Sequence, residues 1–471
     1  MKSIDQAAFD NLNTEAIRQK DKNHHVHAWA DLHAFEKEGA LMIAQGDGCY
    51  IYDTDGKKYL DSPGGLWCNN IGLGRSDMAQ AIADQVKKIS FNSNFNDLGS
   101  IPSAELATKI AQLAPGNLNR VHFTTGGSTA IDTAFRLVQL YHFARGNESK
   151  KHMISRKDAY HGSTYIGSSL GGKAGDRLPA FSYLDDIVHH ISCPNFYRAP
   201  EGMREQDYLD FLVKELEDKI LSLGADNVAA FFAEPVLGAG GVVVPPEGYH
   251  KRTWDICKKY DVLYVADEVV TAFGRLGHWF ASEDEFGIVP DIITCAKGIT
   301  SGYLPLGATI FSDEIYGVIS APDSEVYMAH GLTYSGHPVC CAAALKNIEI
   351  MEEENLFEHV KKITPYFEQQ LNTLLDLPIV GEVRGRGLMR CVEFVADKET
   401  KTDFPEEVNI GKWVSDQADE RGLIIRPIVN LNIMSPPLTI TEKEVDFIVN
   451  TLRDSIKAAM QELRKKGIWQ E

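Results

Sequence analysis

The chain reads as an α/β protein built on a mostly parallel sheet with helices on both faces, and three observations carry that reading. Apolar runs of strand length alternate with helical patterns from about residue 120 to residue 300. Each run ends on residues suited to chemistry: Gly127-Ser128, Tyr160, Glu234, Asp267 and Lys297. In such sheets ligands sit at the carboxyl ends of the strands, so these residues are expected to converge on one edge. The third observation is length, since 471 residues exceed one hydrophobic core and call for two or more subdomains.

The elements follow in order. The first 60 or so residues are mixed in character and close with Gly48-Cys-Tyr-Ile-Tyr-Asp-Thr-Asp-Gly56, whose alternation predicts a hairpin turning at Asp55-Gly56. Arg120-Val-His-Phe123 is a strand leading to the turn Gly126-Gly127, and a helix runs from Ser128 to about Ala144. Lys151-His-Met-Ile-Ser155 precedes Tyr160-His161-Gly162, and Val228-Ala-Ala-Phe-Phe-Ala233 precedes Glu234-Pro235. Val262-Leu-Tyr-Val-Ala266 ends in Asp267-Glu268, and Asp291-Ile-Ile-Thr-Cys-Ala296 ends at Lys297. Past about residue 335 the pattern becomes helix-rich, with a long amphipathic stretch from Val445 to Lys466.

Composition narrows the function classes. A net charge of −19 repels nucleic acid and anionic membranes, which leaves small-molecule chemistry. No apolar run approaches membrane-spanning length and Met1-Lys-Ser-Ile-Asp leads into no signal-peptide core, so a cytoplasmic protein is expected. The eight cysteines show no paired spacing, and Cys340-Cys341 are adjacent, as expected of reduced structural thiols. His24, His25 and His27, like His189-His190, show no acidic or cysteine complement in the sequence, so no metal is expected.

The strand ends suggest the two ends of one cofactor. A lysine amine such as that of Lys297 forms a Schiff base with an aldehyde, and a carboxylate such as that of Asp267 keeps a pyridine nitrogen protonated. Gly127-Ser128 opens a helix, where free N–H groups and the helix dipole attract a phosphate. Asp267 and Val269, two apart in a strand, face one side, so Val269 packs one ring face while Tyr160 stacks on the other. Structural readings stand beside these. Lys297 can be a plain element end, Asp267-Glu268 a helix-start pair and Gly126-Gly127 a simple turn, while Trp67 can be packing and Arg426 part of an ion pair.

Three ordered segments decide between the readings: Val265-Ala-Asp-Glu-Val-Val-Thr-Ala-Phe-Gly-Arg275, Ala296-Lys-Gly-Ile-Thr-Ser-Gly-Tyr-Leu-Pro-Leu-Gly-Ala308 and His330-Gly-Leu-Thr-Tyr-Ser-Gly-His-Pro338. Together they resemble the class III (omega) aminotransferases, pyridoxal 5'-phosphate enzymes of fold type I, over nearly the whole chain. The resemblance implies Lys297 as Schiff-base lysine and proton shuttle, and Asp267 as the pyridinium partner. It makes Val269 and Tyr160 the ring sandwich, Gly127 and Ser128 the phosphate ligands, and Thr333 a phosphate ligand of the neighbouring subunit. A homodimer with shared sites, or a tetramer made of two such dimers, follows. It further implies a smaller α+β domain formed by residues 1–65 with 335–471, and a large cofactor-binding domain at 66–334. One departure is Gly126-Gly-Ser-Thr-Ala130, where the family usually has Ser-Gly-Ser-Glu-Ala.

On the substrate side, Gly65-Leu-Trp-Cys68 resembles the pocket segment of the omega-amino acid and amine:pyruvate branch, with Trp67 as a wall. Leu423-Ile-Ile-Arg-Pro427 resembles the segment whose arginine grips a substrate carboxylate, which a guanidinium matches in two bonds. Glu234 resembles a glutamate near the cofactor that in some branches pairs with that arginine. The implied reaction moves an amino group from an omega-amino acid or amine to a 2-oxo acid, pyruvate first among them. An aminomutase of the same fold and a catalytically silent binding member remain as alternatives.

Overall fold

A computed structural model describes residue 9, residues 12–324 and residues 326–470. Its central sheet has seven strands in the order Arg120–Thr124, Gly307–Phe311, Ile292–Cys295, Leu263–Asp267, Val228–Ala233, His152–Arg156 and Val188–Ile191. All neighbours are parallel except Gly307–Phe311, which runs against both of its partners. The three middle strands are buried at every residue, as helices on both faces require.

Alternation assigns the faces. Phe232 and Val265 pack with Ile131, Phe135 and Val138 of the helix Gly127–Ala144. Their neighbours Phe231 and Tyr264 point the other way, onto Leu216 and Ile220 of the helix Glu205–Leu223 and Cys257 of the helix Tyr249–Lys259.

Near the N-terminus, the strands Tyr50–Asp53 and Lys58–Asp61 form the expected hairpin. Asp53 Oδ1 accepts from Asp55 N at 3.0 Å and Lys57 N at 2.8 Å, and Gly56 takes the left-handed conformation (φ +79°) that closes the turn. The outer edge of the hairpin pairs with Ile43–Asp47, and its inner edge pairs in parallel with Leu423–Ile424, so sequence-distant segments share one sheet.

Beyond residue 335 the expected helix-rich pattern is present, and a sheet joins it. The helix Glu442–Lys465 is present, opened by a Thr441/Glu444 capping box, but the region also holds a four-stranded antiparallel sheet. Its order is Val380–Arg386, Met389–Phe394, Leu431–Met434 and Arg426–Ile428. Buried polar residues hide the alternation there: Arg390 pairs with Glu368, and Glu393 with Arg198 and Arg384. No helix among the described residues is long and apolar enough to cross a membrane.

Candidate active site

A cavity of about 750 Å³ opens at the carboxyl ends of the central strands. Gly127, Ser128, Tyr160, Glu234, Asp267, Val269, Lys297, Trp67 and Arg426 all line it. Thr333 does not; it lies on an exposed turn outside the cavity.

Lys297 follows the strand Ile292–Cys295 and has φ +47°, in the left-handed region where a side-chain-bearing residue is strained by about 1–2 kcal/mol. The surroundings hold it there. Buried Asn347 donates through Nδ2 to the carbonyls of Gly298 (2.8 Å) and Ile299 (3.1 Å), while Ser301 Oγ donates to Asn347 Oδ1 at 2.6 Å. Burial pushes the Lys297 pKa down, which favours the neutral, nucleophilic amine. Neither this amine nor the Arg426 guanidinium has a hydrogen-bond or ion-pair partner among the described residues.

Asp267 ends the strand Leu263–Asp267 and is buried with its carboxylate fixed from three sides. Oδ2 accepts from His161 Nδ1 at 2.7 Å; Oδ1 accepts from Val269 N at 3.1 Å and Thr294 Oγ1 at 3.2 Å. Because a carboxylate only accepts, Nδ1 of His161 carries the proton and its Nε2 faces Ser155 Oγ at 3.1 Å. Sequence reasoning missed His161 as a site residue, although it stands beside Tyr160 after a predicted strand. Val269 reaches the cavity from a turn, because the strand stops at Asp267, so the two-residue strand argument for it is corrected.

Glu268 faces the other way and is fully buried. Its carboxylate accepts from Ala281 N (2.7 Å), Ser282 N (3.0 Å), Ser282 Oγ (2.6 Å) and Thr271 Oγ1 (3.0 Å). Glu268→Ala strands those donors, and thermal or denaturant unfolding should show a loss of about 3–5 kcal/mol. A loss under about 1 kcal/mol would mean that the loop re-pairs without it.

The helix Gly127–Ala144 begins without a side-chain cap, so its first N–H groups are left for an anion. Gly127 is required here, since a Cβ would lie 2.8 Å from Val269 Cγ1. Ser128 Oγ accepts from Ser163 N at 3.1 Å. Thr129, at the position of the family glutamate, turns inward. Its hydroxyl donates to Gly126 O at 2.9 Å and accepts from Thr125 N at 3.2 Å, bracing the turn from within.

Glu234 does not pair with Arg426. Burial raises its pKa, and its oxygens accept from Tyr160 N at 3.1 Å and Gly238 N at 2.8 Å. It fixes the backbone that presents Tyr160. Arg426 lines the cavity from the start of the strand Arg426–Ile428, and burial lowers its pKa. Trp67 meets both of its readings, lining the cavity while its body packs with Val236, Met389 and Ile433. Ala28 and Trp29 complete the wall, the Trp29 ring standing edge-on to Tyr160 at 6.1 Å. Neither residue stands out in the sequence.

An amine without a partner, a fixed carboxylate and an uncapped helix start in one cavity suit an aldehyde-bearing, pyridine-based phosphate ester. Such a site defines an enzyme of amine and carbonyl chemistry. The aminotransferase class-III family model matches residues 34–456, and the chain belongs to that family of pyridoxal-phosphate enzymes. It is 40% identical to a putrescine–pyruvate aminotransferase of Pseudomonas aeruginosa, over 94% of this chain and 96% of the relative. It is 41% identical to gamma-aminobutyrate transaminase 1 of Oryza sativa subsp. indica, over 90% of this chain and 83% of that one. An (S)-enantioselective omega-transaminase from Thermomicrobium roseum superposes with a TM-score of 0.92 at 39% identity, covering 96% of this chain and all of the other. A Pseudomonas jessenii omega-transaminase in complex with PMP gives 0.91 at 36% identity, covering 94% of this chain and 98% of that chain.

Proposed function

We propose that the protein moves an amino group from an omega-amino acid or simple amine to a 2-oxo acid, with pyruvate the first acceptor, in two successive half-reactions. The observation that carries this is the meeting of Lys297, Asp267 and unpaired Arg426 in one cavity. When bound, pyridoxal phosphate supplies an aldehyde that receives the amino group and a ring that accepts electrons. Asp267 holds the proton at the ring nitrogen and is itself oriented by His161. Lys297 Nζ would take the proton from the donor's amine-bearing carbon and deliver it to the carbon that was the cofactor's aldehyde. Gly127 and Ser128 hold the phosphate at the start of their helix, and Tyr160 and Val269 flank the ring. A second copy of the chain contributes Thr333, which makes the dimer the working unit and accounts for a phosphate ligand outside the single-chain cavity. The cytoplasm is its proposed location.

The test is a panel of donors assayed against pyruvate and 2-oxoglutarate: β-alanine, taurine, 4-aminobutyrate, a diamine and an aryl-alkyl amine. Turnover that requires both donor and keto acid supports transfer. Isomerisation of a donor without acceptor points to the aminomutase reading instead.

Arg426 distinguishes the half-reactions. A charge-assisted bidentate bond to the acceptor's carboxylate is worth roughly 1.5–3 kcal/mol, so Arg426→Ala should raise KM for pyruvate about ten- to a hundredfold. A monoamine has no carboxylate to lose, and its single-turnover half-reaction should stay within about threefold, because Glu234 is satisfied by backbone amides and does not depend on Arg426. Equal losses in both half-reactions would make Arg426 structural.

A further inference from the structure

The end of the first helix carries a donor cluster that amino transfer does not use. In the helix Thr14–His24, Asp21 stands one turn before His25, which caps the helix in extended conformation (φ −113°, ψ 118°). The chain then returns His27 to the same carboxylate. His25 Nδ1 lies 3.0 Å from Asp21 Oδ1 and His27 Nε2 lies 2.9 Å from Asp21 Oδ2. The three donor atoms are all within 4.8 Å of one another. Asp21 is the acidic complement that these histidines lack when the sequence alone is read. The side chains of Asp21 and His27 are 13% and 28% exposed, and His25 at 68% leaves one side open to solvent. Phe35 packs on the His27 ring with centroids 4.5 Å apart, which limits its rotation.

The geometry points to a site for a divalent transition-metal ion of the zinc class, held by Asp21, His25 and His27 with water completing the shell. Two imidazoles and one carboxylate are a donor set that zinc favours, with bonds of about 2.0–2.2 Å and hence tetrahedral ligand separations of about 3.3 Å. The two Asp21–histidine distances need to open by only a few tenths of an ångström, while the two ring nitrogens draw together. The ion replaces the two N–H···O protons, which solvent returns to the opposite nitrogens of the neutral rings, so no net proton or electron change is needed. Bound there, it ties the helix end to the segment that enters the cavity wall. Ala28 and Trp29 follow His27 directly, and Trp29 packs against Tyr160.

The test uses tag-free, chelator-treated holoprotein in equilibrium dialysis against Zn²⁺. One saturable ion per chain is expected, with a dissociation constant below about 10 µM. Asp21→Ala and His27→Ala should each weaken binding at least about tenfold, and His24→Ala should leave it unchanged. Zn²⁺ should also slow tryptic cleavage after Lys20 and Lys22 in the wild-type protein and not in Asp21→Ala. The absence of saturable binding by the wild-type chain would overturn the assignment. So would undiminished binding by both Asp21→Ala and His27→Ala.

Discussion

Lys297→Met should reduce transamination by about a thousand- to ten-thousandfold, the scale set by losing both a nucleophile and a positioned proton carrier. Methionine fills a similar volume without an amine, so the fold and the Asn347 bonds to Gly298 and Ile299 remain. The strained backbone at position 297 is unchanged as well, because methionine bears the same Cβ at φ +47°. Cofactor should still bind through the helix start and Asp267. Steady-state assays beside a measure of bound cofactor separate the two effects. Activity within about tenfold of wild type would show that another group carries the proton.

Asp267→Asn should lower turnover by at least about a hundredfold while much of the cofactor is retained. A neutral amide does not keep a pyridine nitrogen protonated, so the electron sink weakens. The substitution also disturbs the support. Asp267 accepts from His161 on one oxygen and from Val269 N and Thr294 on the other, and an amide has only one acceptor oxygen to offer. The NH₂ therefore faces either His161 or the Val269–Thr294 pair. Stopped-flow measurement of the donor half-reaction isolates this step. Near-normal rates would assign the ring nitrogen to another partner.

The strand ends were legible because a strand buried on both faces must be a continuous apolar run, and its first polar residue then marks the ligand edge. Val228–Ala233 follows that rule and delivers Glu234, and Ile292–Cys295, broken only by Thr294, delivers Lys297 to the same cavity. The C-terminal sheet was not legible. Arg390 and Glu393 are buried within Met389–Phe394, each neutralised by a partner far away in sequence, and such pairs erase the apolar pattern. The expected Glu234–Arg426 pair fails for a related reason, since Glu234 is claimed by amides at Tyr160 and Gly238 that only the folded backbone presents. Asp21 was overlooked beside His25 and His27 because helical spacing followed by a reversal into extended chain brings them together.

Lys297 is the proposed amine through which this chain holds its cofactor. Borohydride reduction of the yellow holoprotein, followed by peptide mass mapping, tests that assignment directly. The pyridoxyl group is expected on the peptide containing Lys297, with none on Lys150 or Lys173. A label on any other lysine, or protein that takes up pyridoxal phosphate and yields no reduced adduct, would contradict the account.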